Sequence, residues 1–142
     1  MTSGAPAVPS GVERGLLDTS VFIAQESGRQ IDASELPEEG YVSVITLAEL
    51  EAGVLSAADQ KIRSRRLTTF TRVSALVALP VDTAAAAHWA RMRVRLAEGQ
   101  RRINVNDLWI AAIALANGLA VYTQDRDYGP LSELGELRVV TV

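Results

Sequence analysis

The feature that most constrains this chain is an alternation that runs its whole length. Short aliphatic or β-branched runs take turns with longer segments of helical spacing. "GLLD" (15–18) reads as a strand feeding a helix that Thr19 or Ser20 can start. After the polar connector "IDASELPEEG" (31–40), "YVSVI" (41–45) reads as a second strand. "TLAELEAGVL" (46–55) follows as a helix, with Leu47, Leu50, Val54 and Leu55 near helical spacing. Residues 57–77 read as an amphipathic basic helix, and "LVALP" (76–80) as a strand stopped by Pro80. A long helix is predicted over 82–99, with Asp82 as its cap and Gly99 at its end. "NDLWIAAIALANG" (106–118) reads as a buried helix closed by Gly118, followed by a strand at "LAVYT" (119–123). A loop with a short helix (125–135) and a last strand, "LRVVTV" (137–142), complete the chain. The strand runs are continuously apolar, as they are when both faces of a sheet are covered. Strands separated by helices favour an α/β/α sandwich around a mainly parallel sheet.

A length of 142 residues suits one domain, and 48% hydrophobic residues suffice for a real core. No repeat or second domain is visible. Without cysteine there is no disulfide and no thiolate metal site, which fits a reducing, cytoplasmic setting. No apolar run approaches the roughly 20 residues of a membrane span. The opening "MTSGAPAVPSG" lacks the apolar centre of a signal peptide, so residues 1–13 are expected to be a flexible lead-in to a domain over 14–142.

In open parallel sheets, ligands bind beyond the carboxyl ends of the strands. Asp18 closes the first strand, and Asp125 lies two residues past "LAVYT", with Asp127 two further on. Glu49 lies in the first turn or so of the helix after "YVSVI", and Asp107 opens the helix before "LAVYT". Each has an ordinary explanation. Asp18 could end a strand and cap a helix, Glu49 could be solvated as Glu51 is expected to be, and Asp125 and Asp127 could form turns. Asp107 could be a first-turn acid favoured by the helix dipole, although Asn104 or Asn106 could cap that helix instead. Together they are harder to explain away, because the predicted topology brings them to one edge. Carboxylates gathered at one point repel each other unless a cation neutralises them. An all-oxygen donor set suits Mg²⁺ or Mn²⁺ rather than structural zinc.

The net charge of −3 argues weakly against a nucleic-acid partner, but its distribution argues the other way. Ten of the 14 basic residues fall in two segments, Lys61–Arg72 and Arg91–Arg102, and thirteen of the 14 are arginine. Arg suits phosphate recognition, although a charged run is also what a solvated helix face looks like.

The ordered set "LLDTSVFI", "LAEL" with Gly53 beyond it, "NDLWIAA" and "VYTQDRDY" resembles the PIN domain, and within it the VapC-like toxins of bacterial toxin–antitoxin pairs. The resemblance covers about Leu16 to Val142. It implies a compact Rossmann-like fold and a Mg²⁺- or Mn²⁺-dependent ribonuclease whose acidic quartet falls on Asp18, Glu49, Asp107 and Asp125. Asp127 matches a supporting acid of that family, and Thr19, Ser20 and Thr123 match its small polar residues near the metal. The resemblance also implies a homodimer, an RNA substrate and a cognate VapB-like antitoxin. Arg91, Arg95, Arg101 and Arg102 are then candidates to contact RNA or the antitoxin. In such an enzyme the ion, held by Asp18, Asp107 and Asp125 with Glu49 completing the site, activates water against an RNA phosphodiester.

Other classes fit less well. One histidine, His88, excludes a two-histidine ribonuclease mechanism, and its place in mid-helix beside Trp89 suits packing or surface. A phospho-accepting receiver domain needs a late lysine, and the one lysine is Lys61. A haloacid dehalogenase-type phosphatase needs Asp-x-Asp after the first strand, where this chain has Asp-Thr-Ser. A catalytically inactive RNA- or protein-binding module remains the alternative.

Overall fold

The computed structural model describes residues 12–142. The expectation of a flexible lead-in falls on residues 1–11, outside the described residues, and on Val12 and Glu13. Glu13 is already engaged: its carbonyl accepts from the Glu39 N–H at 3.1 Å, and its carboxylate accepts from the Tyr122 hydroxyl at 2.7 Å.

Five strands, β1 (Arg14–Leu17), β2 (Glu39–Ser43), β3 (Ala78–Leu79), β4 (Ala120–Thr123) and β5 (Val139–Thr141), form one sheet in the order β3-β2-β1-β4-β5. Every pairing is parallel, so the sheet is wholly rather than mainly so. The helices are α1 (Thr19–Glu26), α2 (Val44–Ser56), α3 (Gln60–Val73), α4 (Thr83–Glu98), α5 (Val105–Ala116) and α6 (Gly129–Glu133), with a single 3₁₀ turn at Ala33–Glu35.

Alternation along the strands sorts the core into two layers. Leu16, Tyr41 and Val121 face Met92 and Leu96 of α4 and the apolar face of α5. Val42, with Leu17 packed against it, faces Phe22 of α1, Leu50 of α2 and Val73 of α3. The "LWIAAIA" run of α5 is buried from Ile110 to Ala114 at 0% exposure, which is why it carries no polar face in sequence. Gly15 leaves room for the Tyr122 ring, since a Cβ there would stand 2.2 Å from Cε1. Among the described residues, no helix is long and apolar enough to cross a membrane.

Several boundaries differ from the sequence reading: the basic helix spans Gln60–Val73 rather than 57–77, and β3 covers only Ala78–Leu79 of the run read over 76–80. Val44 and Ile45 belong to α2 rather than β2, because the Ser43 hydroxyl accepts from the Thr46 N–H at 3.1 Å and starts the helix there. Glu49 therefore sits in the second turn of α2. The ends of α4 are as read, with Asp82 as N-cap and Gly99 as C-cap at φ −87°, and the residue that takes the left-handed conformation beyond it is Gln100, at φ 56°. Gly118 closes α5 as expected, at φ 66°.

Candidate active site

Because all strands run the same way, Leu17, Ser43 and Thr123 end on one edge of the sheet. The chain leaves β1 toward β2 and β3 on one side, while β4 and β5 lie on the other. The edge between β1 and β4 is thus the topological switch point, where neighbouring loops part and leave a crevice. Asp18 and Thr123 stand there. Around them opens a pocket of about 210 Å³ lined by Asp18, Glu49, Asp107, Asp125 and Asp127, with Thr19, Ser20 and Asn104 among its other walls. The five acids named from sequence therefore share one recess, although they come from four separate regions of the chain.

Asp18 is the innermost, 2% exposed. Its Oδ2 accepts from the Ser20 hydroxyl at 2.6 Å, the Thr123 hydroxyl at 3.0 Å and the Ser20 N–H at 3.3 Å. Its Oδ1 accepts from the Tyr128 hydroxyl at 2.8 Å. Asp18 is thus also the N-cap of α1, and the ordinary reading holds alongside the functional one. Thr123 in turn accepts from the Asp125 N–H at 2.9 Å, which fixes the start of the Asp125–Asp127 loop.

Glu49 is held from both sides. The Thr19 hydroxyl donates to Oε1 at 2.6 Å, and the Asn106 amide donates to Oε2 at 3.2 Å. Thr46, fully buried, lies 2.8 Å from the Thr19 hydroxyl and steadies it. At the start of α5 the cap is Asn104, whose side chain accepts from the Asn106 N–H at 2.8 Å and the Asp107 N–H at 3.4 Å. Asp107 is then free of the capping role and stands over the pocket from the first turn.

The electrostatics follow from this crowding. Asp107 is pushed from an ordinary 3.8 up to about 7, first by burial and then by the charges of Asp18, Asp127, Glu49 and Asp125. Asp125 is raised as well, by burial and then by Asp18 and Asp127, with Arg29 opposing. Tyr128 is held far above the ordinary phenol range by burial and by Asp18 and Asp107, so it donates as a neutral hydroxyl.

An oxygen-only set of mutually repelling acids is what a hard divalent cation requires. The distances set a limit: among the described residues, no three His, Cys, Asp or Glu side chains are gathered as a ready-made direct shell.

Tyr128 and Thr46 were not singled out from sequence, and Asn106 was considered only as a possible cap of α5. The first was read only as the aromatic end of "DRDY", a spacing that does not say where its hydroxyl points. The arginines named from sequence are mostly engaged. Arg91 (3.7 Å) and Arg95 both pair with Glu136, and Arg101 is bidentate to Glu133 at 2.9 Å twice. Arg102 makes no ion pair among the described residues. Glu51 is exposed as expected, and His88 is a half-buried helix residue 2.6 Å from the Arg91 guanidinium.

An all-parallel α/β/α domain with clustered acids at its switch point defines a fold class, and sequence comparison agrees with it. The chain belongs to the PIN domain family, whose model matches residues 15–135. Among curated relatives, it is 50% identical to Ribonuclease VapC5 of Mycobacterium tuberculosis over 128 residues, covering 90% of this chain and 95% of the relative. It is 39% identical to Ribonuclease VapC4 of the same organism over 131 residues, covering 92% and 98%. Among solved structures, a chain of VapBC-5, a member of the VapBC family of toxin–antitoxin systems from M. tuberculosis, superposes with a TM-score of 0.85 at 46% identity, covering 91% of this chain and 98% of that one.

Proposed function

We propose that this protein is a metal-dependent endoribonuclease, the toxin of a VapBC-type toxin–antitoxin pair, which cleaves RNA phosphodiesters and is held in check by a cognate VapB-like antitoxin. The observation that carries the reading is the convergence of Asp18, Glu49, Asp107, Asp125 and Asp127 on one pocket, with Asp107 pushed up to about 7. The ribonuclease names of relatives aligned over nine-tenths of the chain support the reaction class.

Bound Mg²⁺ or Mn²⁺ would supply a water acidic enough to attack and would stabilise charge on the phosphodiester. Asp18, Asp107 and Asp125 would hold it directly or through water, with Glu49 and Asp127 at the margin. The chain's own residues orient that set. Ser20, Thr123 and Tyr128 fix both oxygens of Asp18, while Thr19 and Asn106 fix both oxygens of Glu49.

Asp125→Asn is the cleanest test, because the Asp125 carboxylate accepts no hydrogen bond among the described residues, its backbone N–H alone being engaged, with Thr123. Asp18→Asn would also disturb the cap of α1. The variant should fold, with a wild-type circular dichroism spectrum, and lose metal-dependent cleavage of total RNA by at least about 100-fold, the scale of removing a preorganised charge-stabilising group. Cleavage at the wild-type rate would refute the site. A wild-type protein that binds RNA without cutting it in Mg²⁺ or Mn²⁺ would establish the inactive binding module instead.

A further inference from the structure

Beside the acidic pocket lies a second recess of a different character. A cavity of about 400 Å³ opens between α4 and the segment entering α5, walled by Trp89, Arg93, Arg102, Ile103, Val105 and Leu108. Its apolar floor is backed by a ring stack, Trp89 on Trp109, with ring centroids 5.0 Å apart and planes 19° from parallel. Its rim is cationic. Arg93 and Arg102 are both exposed and form no ion pair among the described residues, whereas neighbouring Arg91, Arg95 and Arg101 are tied to Glu136 or Glu133.

A third recess, shallow and of about 420 Å³, shares wall residues with both the cavity and the acidic pocket. It has Arg102 and Ile103 in common with the cavity and Asn104 and Asp127 in common with the acidic pocket, and it also touches Arg126. The shared walls therefore lead from the carboxylates past Asn104 to Arg102 and then Arg93. Five acids in one recess repel a phosphate backbone, so a polyanion that reaches them must be held by cations close by. Unpaired arginines over an apolar, tryptophan-bearing floor offer a phosphate contact and a surface for a base together.

We propose that this cavity is a nucleotide subsite for the RNA strand flanking the scissile phosphodiester, with Arg93 and Arg102 on successive phosphates and the floor formed by Trp89, Val105 and Leu108 receiving a base. The inference rests on the ribonuclease reading for its substrate. Arg93 and Arg102 act here on binding and not on the bond being broken.

The test compares wild type, Arg93→Ala/Arg102→Ala, Arg93→Lys/Arg102→Lys and Arg138→Ala, the last at the amino edge of β5, away from the pocket. In cleavage of single-stranded RNA, the alanine pair should raise KM about tenfold with kcat within about twofold. The lysine pair should recover most of the loss, and Arg138→Ala should match wild type. Binding of fluorescein-labelled single-stranded RNA, read by anisotropy without added metal, should lose about 1.4 from its salt slope in the alanine pair, at about 0.7 per phosphate. An unchanged KM and salt slope would overturn the subsite, as would an equal loss in Arg138→Ala. So would a change in sedimentation mass of the alanine pair, which would make the face a contact between copies of the chain. If wild type cuts no RNA in Mg²⁺ or Mn²⁺, the ribonuclease reading fails, and the anisotropy comparison still decides whether the cavity binds RNA.

Discussion

Asp107→Asn should make the metal-free protein more stable at alkaline pH, the reverse of what loss of a helix-capping acid would do. The folded carboxyl titrates near 7, and the unfolded one near 3.8. Between those values the folded state holds a proton that the unfolded state has released, so stability falls as pH rises from about 4 to 7 and the penalty is complete above 7. Moving a carboxyl from 3.8 to about 7 corresponds at most to about 4 kcal/mol. Asp107 is only half-buried and water screens it, which brings the figure down to about 2 kcal/mol. The substitution also removes a favourable interaction with the α5 dipole, about 0.3–1 kcal/mol. The net gain at pH 8 is about 1 kcal/mol, or roughly 2–5 °C in the midpoint for a chain of this size. At pH 4.5 most of the penalty is absent, and the variant should equal wild type or fall slightly below it. Mg²⁺ should raise the wild-type midpoint and leave that of Asp107→Asn nearly unmoved. Differential scanning fluorimetry at the two pH values, with and without Mg²⁺, reads all of this. A variant less stable than wild type at both pH values, by the same amount, would refute the crowding argument and return Asp107 to a purely structural role.

Tyr128→Phe removes the hydroxyl that donates to Asp18 Oδ1 and sits 3.4 Å from Asp107 Oδ1. Mn²⁺ binding measured by electron paramagnetic resonance should weaken about tenfold, the scale of losing a group that orients a metal ligand, and unchanged affinity would mean that the hydroxyl does not position the site. Gly15→Ala forces a Cβ to within 2.2 Å of the buried Tyr122 ring and 3.2 Å of Pro37 Cγ. Urea unfolding should show a loss of about 1–3 kcal/mol with a changed near-ultraviolet tyrosine signal, and wild-type stability would contradict the packing described for β1 and β4.

The architecture was legible because the central strands β1, β2 and β4 carry buried apolar runs that stand out between the helices. The acids were legible because they fall just past strand ends or in the first two turns of a helix, positions that a parallel sheet brings to one edge. Boundaries were less so. Val44 and Ile45 are β-branched and look like strand, yet one hydroxyl, that of Ser43, starts α2 ahead of them. The question of what caps α5 was open between two asparagines and Asp107, and only the geometry of Asn104 answers it. The hydroxyl of Tyr128 and the pairing of Arg95 and Arg101 with glutamates 41 and 32 residues away depend on tertiary placement, which local spacing does not encode. A basic run therefore looked uniform in sequence, while in the fold it divides into arginines with partners and arginines without.

The central claim is that the clustered carboxylates at the β1–β4 switch point do metal-dependent chemistry on RNA. The most direct measurement is the rate of cleavage of total RNA as Mg²⁺ or Mn²⁺ is titrated into the metal-stripped wild-type protein, with the new 5′ ends mapped. The account predicts no cleavage in EDTA, a saturable rise with metal at discrete sites, and no rise for Asp125→Asn. Cleavage that persists in EDTA, or that Asp125→Asn retains, would contradict it.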